Sequence, residues 1–105
     1  SRLTQYREDH PELLEFFAKH INDPHRWVRW TCADQVIRHG NADQFADVLE
    51  MANGEPLRGG RIASIYETLD RRLSRLKKSK DRHEAKEVEK MQKMFAEKAE
   101  DWGSN

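Results

Sequence analysis

The sequence predicts an all-α fold: antiparallel helical hairpins, about five helices in an α-α array, the last of them heavily charged. Three observations carry this. Apolar residues recur at spacings of three and four, as on one face of a helix. Proline, glycine and Asn/Asp punctuate the chain at intervals suited to short helix–helix connections. No stretch alternates apolar and polar residues between turn signals, as a half-buried strand would.

Residues 1–10 are polar, with Leu3 and Tyr6 as possible anchors, and read as an arm. Asp9-His10-Pro11-Glu12 is a helix start: Asp9 can cap, Pro11 suits the first turn and Glu12 stands three after the cap. Leu13, Leu14, Phe16, Phe17 and Ile21 follow, and Asn22-Asp23-Pro24 ends the helix, because a residue before proline is pushed out of the helical region. A second helix runs from Pro24 to about His39, with Gly40 as its stop. Asn41 and Gln44 have capping-box spacing ahead of Phe45, Val48, Leu49 and Ala52, the stripe of a third helix ending at Asn53-Gly54. Glu55-Pro56 is a start signal, but Gly59-Gly60 predicts a break or kink. The fourth helix has the cleanest period: Ile62, Ile65, Tyr66, Leu69, Leu73, Leu76. After Ser79-Lys80-Asp81, with Asp81 and Glu84 as a second cap pair, a fifth helix runs to about Asp101.

The 105 residues suit a single domain with one modest core. Seventeen of its 20 Leu, Ile, Val and Phe lie between Leu13 and Leu76, which places the core in 11–76 and leaves 77–105 as a charged appendage. Nineteen basic and 19 acidic side chains cancel, removing the simplest case for a nucleic-acid or membrane partner. No apolar run is long enough to cross a membrane or to form a signal peptide. The single cysteine, Cys32, forbids an internal disulfide and fits a reducing, cytoplasmic setting. A first residue other than Met and a Gly103-Ser104-Asn105 end read as a possible fragment of a longer protein.

The segment 11–41 is the most distinctive. A helix, an Asn-Asp-Pro turn, then Val28-Arg29, Ala33, Val36 and Gly40-Asn41 resembles a HEAT repeat. That resemblance implies a helical hairpin within a stacked array, an arginine (Arg29) tied to the turn aspartate (Asp23), and a second helix lining a partner-binding surface. A following repeat fits through Phe45–Ala52 but departs from the pattern at Leu57-Arg58-Gly59-Gly60.

At 100° per residue, Val28, Trp30, Cys32, Ala33, Val36 and Ile37 form a broad apolar arc on the second helix. Arg29 lies inside it, where a charge requires a partner. Trp27, Thr31, Asp34 and Arg38 share the opposite row, a composition favoured in binding hot spots. They are the candidate partner-binding residues, against the alternative that Trp27 folds over the first helix. The first function expected is therefore a non-enzymatic protein-interaction module or adaptor.

The run 71–82 carries Arg71, Arg72, Arg75, Lys77, Lys78, Lys80 and Arg82, which can contact phosphates or simply form a solvated helix end. Nucleic-acid binding is the alternative function, although no aromatic residue in the run could stack on bases. Self-association through Met91, Met94, Phe95 and Trp102 is a third possibility. No catalytic constellation stands out and no cofactor is implied. His25, Cys32 and His39 repeat every seven residues, about 10.5 Å apart along a helix, too far to share one zinc ion. Trp27-Val28-Arg29-Trp30-Thr31 with Asp34 also looks like the repeats of HEAT-like DNA repair glycosylases, though this chain is far shorter; Cys32, on the apolar arc, is expected to be buried and unreactive.

Overall fold

In the computed structural model, residues 11–53 and 59–103 are described. They form five α-helices and no strand: α1 (Pro11–Lys19), α2 (Arg26–His39), α3 (Ala42–Asn53), α4 (Gly59–Ser79) and α5 (Arg82–Gly103). The fold is all-α, as the apolar period predicts. The arm, the Asp9 cap and the break expected after Pro56 fall wholly or partly outside the described residues. Gly59-Gly60 does not kink a helix but opens one.

Local signals account for most helix ends. A 3-10 turn over His20–Asn22 tightens the close of α1, and the Asp23 carboxylate accepts the His25 N–H at 2.9 Å, turning the chain into α2. The capping box at α3 is complete. The Gln44 N–H donates to Asn41 Oδ1 at 2.9 Å, and the Asn41 N–H donates to Gln44 Oε1 at 3.0 Å. At α5 the Glu84 N–H donates to Asp81 Oδ1 at 3.1 Å.

Contacts across the helices fix their directions. Tyr66 packs on Phe95, Asp70 accepts a hydrogen bond from Gln92, and Arg72 meets Met91, so α4 and α5 run antiparallel. Arg61 lies over the Trp30 ring while Arg72 reaches Ile37 and Gly40, so α4 runs parallel to α2. Glu87 meets Ala42 and Trp102 meets Asn53, so α5 runs parallel to α3. The molecule is thus two hairpins laid side by side, α2–α3 and α4–α5. Like helices are adjacent, and α1 packs on α2.

The core fills the space between these hairpins. Phe45, Val48, Val36, Leu69, Leu76, Val88, Met91 and Phe95 are almost fully buried. This corrects the expected core boundary at 76: Ala85, Val88, Met91 and Phe95 belong to the same core as Ile37 and Phe45. Few apolar residues after Leu76 does not mean a loose helix, because α5 needs only one stripe to fill the groove between α3 and α4. Phe45, Tyr66 and Trp102 surround Phe95 with ring centroids 4.8 to 6.3 Å away.

Candidate functional site

The turn from α2 to α3 organises the surface around it. Its carbonyls and N–H groups lie at two helix ends, where no intrahelical partner exists. The second hairpin supplies them. Arg72 of α4, 2% exposed, donates to the carbonyls of Ile37 at 2.9 Å and Gly40 at 2.7 Å. Glu87 of α5 accepts the Ala42 N–H at 2.8 Å. A cation meets the negative end of α2 and a carboxylate the positive end of α3, the arrangement that helix dipoles favour. Arg72 is therefore a correction to the basic run: its guanidinium is built into the fold and is not available to a phosphate backbone. The signal that could have found it is position. Arg72 falls three after Leu69 and four before Leu76, on the apolar face of α4, whereas Arg71 and Arg75 do not.

The other members of the run, Arg71, Arg75, Lys77, Lys78, Lys80 and Arg82, are exposed. Arg71 is ion-paired with Glu67, one turn back on the same helix. The row on α2 is also outward. Trp27 is 78% exposed, the Thr31 hydroxyl donates to the Trp27 carbonyl at 2.8 Å, and Arg38 pairs with Asp34 at 3.3 Å.

Because α2 and α4 are neighbours, the two features meet. Arg38 and His39 from α2 and Thr68, Arg71, Arg72 and Arg75 from α4 line one cleft of about 210 Å³. Neither the row nor the run, read separately along the chain, indicates this convergence.

On the other side, Ala46, Leu49, Glu50 and Asn53 of α3 face Met94, Glu97, Lys98 and Asp101 of α5 across a shallower groove of about 480 Å³. The net charge of zero hides this segregation. Helices α2 and α4 together carry nine Lys and Arg against three carboxylates, while α3 and α5 carry five against nine, so one layer is basic and the other acidic.

Arg29 does reach the Asp23 turn, its Nη1 donating to the main-chain carbonyls of Asp23 and Pro24, each at 2.9 Å. The contact runs to the backbone of the turn, while the Asp23 carboxylate holds the His25 N–H. Self-association through Met91 and Phe95 is corrected, since both are 0% exposed and Met94 and Trp102 are half-buried against the same core. Trp30 is 6% exposed beneath Arg61, with the guanidinium carbon 4.2 Å from the ring centroid. Of the two tryptophans in the glycosylase-like segment, only Trp27 faces outward. Cys32 is buried, and burial, with the Asp23 carboxylate second, pushes its thiol above the ordinary range, so thiolate chemistry is disfavoured. Among the described residues no three His, Cys, Asp or Glu converge as a metal site, and no helix is long and apolar enough to cross a membrane.

Fold and site together define an all-α double hairpin with one basic, Trp-bearing face. Compared with known proteins, the chain matches no family model, no curated protein and no solved structure.

Proposed function

We propose that this protein is a non-enzymatic interaction module of HEAT-like helical hairpins, binding a protein partner on the outer face of α2 through Trp27, Thr31, Asp34 and Arg38. The carrying observation is Trp27, with 78% of its surface exposed on a regular helix. An indole is a large apolar surface on a rigid side chain, and its burial is a frequent source of binding energy. The flanking hydroxyl and ion pair supply a polar surround. The parallel placement of α2 beside α4 suits an array in which like helices stack into one binding surface.

The test is recovery of partners from lysate with the wild-type chain, followed by titration of each purified partner against Trp27→Ala and Arg38→Ala. Loss of a buried tryptophan anchor is expected to weaken binding by about 2 kcal/mol, roughly thirtyfold. Retention of every partner at wild-type affinity removes the face from consideration.

The segregated charge favours a second reading, nucleic-acid binding through Arg71, Arg75, Lys77, Lys78, Lys80 and Arg82. Filter binding at low and moderate salt decides it. A phosphate-driven complex forms at low salt and weakens steeply as salt rises, and absence of binding at low salt rejects it.

A further inference from the structure

We propose that the cleft between α2 and α4 is a binding site for a phosphorylated side chain of a partner protein. This rests on the reading of the α2 face as a partner surface and names the chemistry that face would recognise.

Four arginines converge there from two helices. Arg72 forms a fixed cationic floor, held by the carbonyls at the end of α2. Arg38 and Arg71 stand over it from opposite helices, each oriented by a carboxylate one turn away on its own helix. Arg75 has no hydrogen-bond or ion-pair partner among the described residues. Thr68, whose hydroxyl donates to the Ser64 carbonyl, keeps acceptor capacity and narrows one wall. Guanidinium groups bind phosphoryl oxygens in a planar, two-point manner, and clustered arginines are the general solution for reading a phosphorylated residue. The two pairs, Arg38 with Asp34 and Arg71 with Glu67, are solvent-exposed and contribute little to stability, so each arginine can turn to a dianion.

The surroundings favour a single phosphate over a polyphosphate backbone. Asp34, Glu67 and Asp70 lie on these same two helices. A nucleic-acid strand laid along the face would meet these carboxylates as well as the arginines. One phosphoryl group inserted between Arg38, Arg71 and Arg75 meets only Asp34 and Glu67, each already paired with an arginine. About 210 Å³ is room for that group and its linkage.

The experiment is an NMR titration of the whole chain, observing backbone amides and arginine Nε–H groups. The probes are a short phosphoserine peptide, its unphosphorylated counterpart, inorganic phosphate and a single-stranded oligodeoxynucleotide. The expected result is saturable shifts of Arg38, Arg71 and Arg75 with the phosphopeptide and none with its counterpart. Arg75→Gln should bind it at least about tenfold more weakly, since one charge-assisted contact is lost. Lys93→Glu, at an exposed position of α5, should bind as wild type. Both positions are at the surface, and circular dichroism checks that both variants keep their helices.

Absence of saturable phosphopeptide binding overturns the proposal. So does inorganic phosphate binding as tightly as the peptide, which would make the cleft a small-anion site. Tighter binding of the oligonucleotide, with a steep salt dependence, overturns it in favour of a polyanion track. None of these outcomes depends on Trp27, so the α2 surface can survive if the phosphate site fails.

Discussion

Among the described residues, the α2–α3 and α4–α5 turns are held by opposite means. The α2–α3 turn at Gly40-Asn41 depends on residues more than thirty positions away: Arg72 satisfies the carbonyls before it and Glu87 the N–H after it. The α4–α5 turn at Lys80-Asp81 satisfies itself. The Asp81 N–H donates back to the Leu76 carbonyl at 3.1 Å and the Lys80 N–H to that of Lys77 at 3.3 Å, the paired bonds of a Schellman motif. The first turn is therefore complete only once the two hairpins have docked, whereas the second can form within its own hairpin. The basic cleft borders the first turn, through His39 and Arg72, so its geometry inherits the docking of the hairpins.

The largest test of this difference is Arg72→Met, which keeps comparable bulk but leaves the Ile37 and Gly40 carbonyls buried without their cation. Buried acceptors that lose a charged donor are costly, and a loss of about 3 kcal/mol is expected. For a chain of this size that lowers Tm by roughly 15 °C, measurable by thermal circular dichroism. A change under about 1 kcal/mol would mean that the α2–α3 turn does not depend on α4.

Gly40→Ala probes the same turn from its other side. Gly40 has φ −81°, an ordinary conformation for any residue, so its stop role is not the left-handed one expected of a helix-ending glycine. Space is the reason it is glycine. An added Cβ would stand 2.7 Å from the Val36 carbonyl oxygen and 2.8 Å from Gln44 Oε1. That carbonyl is pinned by the Gly40 N–H, and Gln44 is engaged in the capping box. Overpacking here should cost about 2 kcal/mol in urea denaturation. An unchanged midpoint would show that the corner can relax.

These two residues mark where the sequence can and cannot be read. Period three-four patterns gave α4 its face, and cap spacing placed Asn41 with Gln44 and Asp81 with Glu84, because those interactions lie within one turn of the chain. Trp27 and Arg38 were legible as an outward row for the same reason. Arg72 reads as one more surface cation, since its two carbonyl partners lie 35 and 32 residues away in the chain. Met91 and Phe95 read as a self-association stripe, because the residues they meet, Arg72 for Met91 and Phe45 and Tyr66 for Phe95, come from other helices. The cleft was hidden twice over. It needs α2 and α4 side by side, and their adjacency is decided by packing between hairpins that no local pattern encodes.

The smallest expected effect lies at the self-contained turn, and it carries the opposite sign. Lys80 closes α4 with φ 61°, the only positive φ at a non-glycine residue among those described. The Schellman motif requires this left-handed position, and a side chain there crowds its own carbonyl. Lys80 is exposed, so its replacement removes no burial. Lys80→Gly should stabilise the protein by about 1 kcal/mol, the relief of left-handed strain being partly offset by glycine's greater freedom in the unfolded chain. Thermal unfolding measures it. Because the turn forms within one hairpin, the gain should persist in an Arg72→Met background, the two substitutions adding with little coupling. A gain that vanishes when Arg72 is replaced would mean that the Lys80 turn, too, is held by the docking of the hairpins.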